Sequence, residues 1–223
     1  MESLEEIKAR ADAAVPGAKI EIVPNPGPAN QPSLLLDHEQ ARTVASFLRD
    51  DPALKLDHCS NVTGVDWLDR KVAKKVKVKK VVDGAEKEVE ESQEEFCPGY
   101  LEAVYHLFSM TLKQGPVVIR MRTAGRRQDA QLPSLTPVWR SAEFQEREIF
   151  DLYGIKFEAH PDLRRILMWD EFEDFPMRKD YREPDDYEYE PTPHDDVLER
   201  SKQHYPPRPQ LDGAENLTAA QQQ

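Results

Sequence analysis

Residues 143–167, EFQEREIFDLYGIKFEAHPDLRRIL, interleave charge with aromatic and aliphatic residues more densely than any other stretch of the chain. Projected at 100° per residue, the run from Trp139 to Tyr153 predicts a helix with Trp139, Ala142, Ile149, Phe150 and Tyr153 on one side. Glu146 falls in the middle of that apolar side. A carboxylate there must be paired or hydrogen-bonded, because an unpaired buried charge is very costly. Arg164, Arg165 or an arginine of a partner is the economical counter-charge. Phe144 and Leu152 fall on roughly the opposite side, so the helix is expected to be covered twice, once by its own domain and once by something else. Glu143–Arg147 and Arg147–Asp151 are i,i+4 pairs that would brace its flank. Gly154 reads as the residue that ends it.

Downstream, Ile155-Lys156-Phe157-Glu158 alternates like a short strand. Pro161 pushes His160 out of helical geometry, so His160-Pro161-Asp162 reads as a turn. Leu163-Arg164-Arg165-Ile166-Leu167 sets two guanidiniums between aliphatic anchors, with Glu146, Glu148, Asp151 and Asp162 as the available acids.

Upstream, residues 2–14 carry Leu4, Ile7 and Ala11 at helical spacing, and Pro16-Gly17 ends that segment. Lys19 to Val23 alternates as a strand, and the proline-dotted stretch 24–32 is a loop. Asp37 is expected to cap a helix from His38 to Asp50 whose buried stripe is Ala41, Val44, Ala45 and Leu48. Leu54 to Trp67 is strand-like, with Gly64 as a candidate bulge. Tyr100 to Leu112 and Val117 to Thr123 alternate across Gly115-Pro116, which predicts an antiparallel hairpin. Arg126 and Arg127 sit in the loop that follows. Leu132-Pro133-Ser134-Leu135-Thr136-Pro137 is excluded as a central strand, because each proline lacks the N–H a ladder needs. The sum is an α+β fold: a mainly antiparallel sheet with helices packed on it.

Residues 69–96 differ in kind. Six lysines alternate with valines in 71–80, six glutamates fill 86–95, and Asp83-Gly84 between them is a hairpin turn signal. A charged β-hairpin insertion follows, its basic half facing its acidic half. A polybasic patch for lipid or nucleic acid is the rival reading, and the acidic return strand argues against it.

Composition bounds the rest. Net charge is −12, so no general affinity for nucleic acid is implied. Residues 170–199 hold thirteen acids against three bases, and Trp169, Phe172, Phe175, Tyr181, Tyr187 and Tyr189 lie scattered in and around that segment. Isolated aromatics in acidic, aperiodic chain are expected of a tail that docks on a partner. The domain reading is therefore 1–167 as the α+β domain, 168–205 as an extended docking tail and 206–223 as a disordered tail. No run of about 18 apolar residues exists to span a bilayer. MESLEEIKAR lacks a signal-peptide pattern, which gives a cytoplasmic expectation.

No phosphate loop, dinucleotide fingerprint, zinc-protease motif or nucleophile elbow is present. Cys59 and Cys97 are far apart, and an iron–sulfur cluster commonly takes four cysteines, so a cluster held by this chain alone is not expected. His160 beside Asp162 reads as a turn-ordering pair before it reads as an acid–base pair. A stand-alone enzyme built on Glu146, His160 and Arg164 is the reading from another class.

The run ERE-IFDLYGIKF, then HPDLRRIL, then FPMRKDY resembles the C subunit, or 30 kDa subunit family, of respiratory NADH–quinone oxidoreductase (complex I). Similar stretches extend upstream to Val62-Thr63-Gly64-Val65-Asp66, Tyr105-His106-Leu107-Phe108-Ser109 and Leu132-Pro133-Ser134-Leu135-Thr136, so the resemblance spans about residues 34–181. Glu146, Arg147, Glu148, Asp151, Gly154, His160, Pro161, Asp162, Leu163, Arg164 and Arg165 match the motif. The resemblance implies a subunit with no flavin, iron–sulfur cluster or metal of its own and no catalytic residue, FMN and the clusters residing in partner subunits. It implies a hetero-oligomer with complex I subunits D (quinone-binding), B and I (iron–sulfur). It also implies a peripheral place on the cytoplasmic face of the bacterial inner membrane, reached only through the complex. Related subunits serve membrane-bound hydrogenases and quinone reductases with other donors, and nothing in this chain touches the donor. The insertion at 69–96, Trp169-Asp170-Glu171-Phe172 and the long acidic C-terminus depart from the usual pattern.

Overall fold

The computed structural model describes residues 2–182 except 26, 83–84 and 127–129, and within the strands at 73–93 it describes backbone only. The expected turn at Asp83-Gly84, Arg127, Tyr187, Tyr189 and the expected disorder of 206–223 lie outside the described residues.

Helix α1 (Leu4–Ala14) starts at a capping box: Ser3 Oγ accepts from the Glu6 N–H, and Glu6 Oε2 accepts from the Ser3 N–H. It buries Ile7 and Ala11. Strands β1 (Ile20–Val23) and β2 (Ser33–Leu36) pair antiparallel, then α2 (Ala41–Asp50) follows. All four residues of the expected α2 stripe are fully buried. The helix begins three residues later than the Asp37 cap predicts, and Gln40 stands at its N-cap without a side-chain hydrogen bond.

Strands β3 (His58–Trp67), β6 (Tyr100–Ser109) and β7 (Gln114–Arg122) complete a five-stranded sheet in the order β1-β2-β7-β6-β3. Every neighbour is antiparallel except β2 and β7, which run parallel. The fold class is thus α+β with a mainly antiparallel sheet. Leu101, Ala103, Tyr105 and Leu107 of β6 point into the core with Ile119 and Met121 of β7. Two local expectations are corrected. Gly115-Pro116 lies inside β7, and the reversal is made by residues 110–113. The bulge in β3 sits between Cys59 and Asn61, while Gly64 keeps register opposite Ala103. Gly64 is small for another reason: a Cβ there would stand 2.5 Å from the Tyr153 ring, so the helix that carries Tyr153 packs directly on the strand.

Strands β4 (Arg70–Val82) and β5 (Ala85–Cys97) form their own two-stranded sheet, as the charge pattern predicts, with Lys77 in register with Glu90 and Lys79 with Glu88. Strand β8 (Gln131–Pro133) pairs parallel with β9 (Lys156–Glu158) at the margin, where Pro133 costs no ladder bond in a central strand. Arg42 of α2 donates to the backbone carbonyls of Ser134 and Glu158 and so ties this small sheet to the main domain.

Candidate functional site

Helix α3 (Ala142–Tyr153) ends where the sequence predicts, at Gly154 with φ 76°. A Cβ on Gly154 would meet the Phe175 ring at 2.6 Å, so this residue serves both the left-handed turn and the close approach of the chain beyond it. The helix buries Glu146, Arg147 and Asp151 along with Ala142 and Ile149.

Glu146 is fully buried and accepts four hydrogen bonds. Tyr105 Oη (2.9 Å) and the Leu135 N–H (2.8 Å) reach Oε1; Ser134 Oγ (2.5 Å) and Thr136 Oγ1 (3.0 Å) reach Oε2. None of these donors is an arginine, which corrects the expected ion pair with Arg164 or Arg165. Burial raises the Glu146 carboxyl above the ordinary carboxylate range despite the four donors, because none carries charge. Burial, and then the Glu146 charge, hold the Tyr105 hydroxyl well above its usual value. Cys59, one of the two free cysteines, is pushed up to about 12 by burial first and Glu146 second.

Asp151, further along the same helix, is equally buried but differently held. Arg165 Nη1 donates to Oδ1 at 2.6 Å, and the N–H groups of Ile166, Leu167 and Met168 converge on Oδ2 at 3.0, 2.7 and 2.8 Å. Burial pushes this carboxyl up, but the three N–H groups and Arg165 outweigh it and hold the carboxyl below its ordinary value. Arg147 donates to the carbonyls of Arg164 and Arg165 and lies 3.7 Å from Asp162, so it braces the 160–168 loop in place of the predicted i,i+4 pairs.

His160 is fully engaged in its turn. Its Nδ1 accepts from the Asp162 N–H at 3.1 Å, which assigns the proton to Nε2, 3.0 Å from the Glu143 carbonyl. Pro161, Asp162 and Arg164 are exposed, Leu163 packs on the core edge, and Glu148 faces outward. Asp162 and Arg164 pair with each other at 3.0 Å. Glu146, His160 and Arg164 therefore do not converge, and no acid–base site forms from them.

Residues 168–181 run back over the domain through contacts that no sequence period announces. Asp66 of β3 accepts from Arg126 at 2.5 and 2.7 Å and from the Lys179 N–H at 2.8 Å, and Arg126 also reaches Asp180 at 2.7 Å. Arg178 lies over the Phe175 ring at 4.5 Å and donates to the Tyr153 and Arg126 carbonyls. Arg165 sits within 5.6 Å of the Phe172 and Phe175 rings. The signal that could find these residues is the alternation of β6 and β3, which places Tyr105 and Asp66 inward. Outside the seam, large apolar side chains remain exposed: Phe144 57%, Leu167 60%, Met177 53% and Trp169 42%. Among the described residues no three His, Cys, Asp or Glu side chains are grouped to hold a metal ion, and no helix is long and apolar enough to cross a membrane.

Residues 34–187 match the model of the family described as respiratory-chain NADH dehydrogenase, 30 kDa subunit. The chain is 38% identical over 143 residues to the NADH-quinone oxidoreductase C subunit of Salinispora arenicola, which is 64% of this chain and 46% of that one. It is 38% identical over 143 residues to the second such C subunit of Rhizobium meliloti, covering 64% of this chain and 62% of that relative. The chain spans about half the length of the curated relatives it matches. A chain of the membrane-bound sulfane sulfur reductase, an archaeal respiratory membrane complex, shares the fold with TM-score 0.52 and 19% identity over 95% of this chain and 96% of that one.

Proposed function

The chain belongs to the 30 kDa subunit family of the respiratory-chain NADH dehydrogenase, and from that premise we propose that it is a cofactor-free scaffold subunit of a proton-translocating NADH–quinone oxidoreductase. In this reading it docks on the quinone-binding subunit and lies near the two subunits, B and I, that bear iron–sulfur clusters. It supports electron transfer from NADH to quinone by fixing its neighbours, while FMN and the iron–sulfur clusters stay in those neighbours. Its place is peripheral, on the cytoplasmic face of the bacterial inner membrane.

The observation that carries this reading is the division of labour at α3. The motif residues Glu146, Arg147, Asp151, His160 and Arg165 spend their hydrogen bonds inside the domain, while Phe144, Leu167, Trp169 and Met177 around them stay exposed. Charged groups locked within the domain beside exposed apolar side chains suit a rigid docking surface.

The test is affinity purification of the tagged chain from its own membranes in mild detergent, with mass spectrometry of the associated proteins. Flavin- and cluster-bearing subunits together with a quinone-site subunit are the expected company. A nickel hydrogenase subunit, or a quinone module without an NADH module, would move the assignment to a related complex. Recovery of the chain alone would overturn the scaffold reading.

A further inference from the structure

Beyond Met168 the chain is attached to the domain differently from the loop before it. The N–H groups of Ile166, Leu167 and Met168 close on the buried Asp151, and so does Arg165. Releasing that loop would strand a buried carboxylate, which is costly. From Trp169 to Tyr181, by contrast, no residue is buried. The segment contributes no core side chain, and polar contacts at 177–180 hold its far end.

Those contacts fall at two places. At the C-terminal end of α3, the Met177 N–H donates to the Leu152 carbonyl at 3.1 Å and Arg178 Nε to the Tyr153 carbonyl at 2.7 Å, so the segment caps carbonyls in the last turn of the helix. At the end of β3, the Lys179 N–H donates to Asp66 Oδ2 at 2.8 Å, and Asp180 accepts from Arg126 Nη2 at 2.7 Å. Asp66 does not depend on the segment, because Arg126 holds both its oxygens at 2.5 and 2.7 Å. Detachment therefore hydrates a backbone N–H and an exposed carboxylate and leaves the Asp66–Arg126 pair whole. Attachment, conversely, leaves one group worse off. Arg178 Nη2 is buried without a hydrogen-bond partner, packed over Gly154, where a Cβ would stand 2.8 Å from it. Desolvation is the main reason the Arg178 pKa falls below the ordinary arginine value. A buried, unsatisfied donor favours the detached form, in which water reaches it.

We propose that residues 175–181 are a strap that opens and closes on the domain as one unit, hinged between Met168 and Phe175 and locked by the Lys179 N–H on Asp66. Closed, it covers Gly154 and the last carbonyls of α3. Open, it bares them and frees Arg178 to water, while the sheet and α3 keep their packing. Segments with few buried apolar contacts open locally at a free energy well below that of the whole domain. The strap is a property of the chain itself and does not rest on the scaffold reading.

Hydrogen exchange of the purified full chain, resolved to single amides by mass spectrometry, tests the strap. The Met177 and Lys179 amides are expected to exchange at least about 100-fold faster than those of Val118 and Ile119 in β7, yet about 10-fold or more slower than in unstructured chain. Lys179→Pro removes only the N–H that Asp66 accepts. It is expected to bring the Met177 amide to the unstructured rate, although its own partner at Leu152 is untouched, with Val118 and Ile119 unchanged. Lys179→Ala keeps the N–H and loses only the contact of the amine with the Trp67 ring, so both strap amides should stay within about three-fold of their starting rates. Asp180→Ala should speed both by about five-fold, as loss of a half-exposed ion pair does. A Met177 amide that keeps its protection in Lys179→Pro overturns the proposal, because the anchors then act separately. Strap amides as slow as those of β7, or faster β7 exchange in the proline variant, would mean that the segment opens only with the domain. Met177 and Lys179 at the unstructured rate in the unmutated chain would mean that it never closes.

Discussion

Glu146 and Asp151 sit five residues apart on α3, both with no exposed surface, and the fold solves the same problem for them in opposite ways. Glu146 is surrounded by three hydroxyls and one N–H, Asp151 by a guanidinium and three N–H groups. A hydroxyl can turn and accept, so the Glu146 pocket also accommodates a protonated acid. N–H groups and guanidinium only donate, so the Asp151 pocket demands charge. Desolvation is shared; the reversibility of the donors decides the direction in which each carboxyl shifts.

The largest expected effect tests that contrast directly. Asp151→Ala strands a buried guanidinium and three backbone donors, and is expected to cost about 3–5 kcal/mol of folding stability. Urea denaturation of the purified chain measures it, and a loss below about 1 kcal/mol would mean that the loop does not depend on the carboxylate. Glu146→Gln keeps the shape and lets the hydroxyls rearrange around an amide, so about 1 kcal/mol is expected. Equal losses at the two positions would refute the distinction between the pockets.

The pH dependence should separate them by sign. The Asp151 carboxyl is lowered in the fold, so its contribution is present above its unfolded pKa and is lost as pH falls through the folded value. The Glu146 carboxyl is raised, so its contribution is present below the unfolded value, near 4.5, and is lost as pH rises through the folded one. Stability measured from about pH 3 to pH 8 and referenced to each neutral variant should slope upward with pH for Asp151→Asn and downward for Glu146→Gln. Parallel curves would show that the donors do not set the shifts.

Period and punctuation make much of this legible in the sequence. The stop of α3 at Gly154, the inward row of β6 and the β4–β5 hairpin all follow from spacing that a local rule reads, whereas α3 begins at Ala142, three residues after the predicted start at Trp139. What escapes is non-local. Strand β2 is four residues long behind a proline-rich loop, and only its pairing with β1 and β7 makes it a strand. The partners of Glu146 come from β6 and from the Ser134–Thr136 turn, 41 and 12 or fewer residues away. Charge arithmetic favours an arginine for that pocket because it counts ions and overlooks hydroxyls. The latch of Asp66, Arg126 and Asp180 joins three segments that no sequence period connects.

Arg164 and Arg165 carry the comparison to its smallest expected effect. In the sequence they are equivalent, adjacent guanidiniums inside one motif. In the fold the Arg165 side chain is 13% exposed and held by Asp151, while that of Arg164 is 68% exposed and pairs with the exposed Asp162. An exposed pair is screened by water and must also restrain two flexible side chains, so its net contribution is small. Arg164→Ala should therefore leave the urea midpoint of the isolated chain within experimental scatter, whereas Arg165→Ala should lower it clearly. If Arg164→Ala nonetheless reduces recovery of the assembled complex, the motif arginine that the fold does not use is used by a neighbour. If both variants destabilise the isolated chain alike, solvent does not separate the two side chains as their exposure requires.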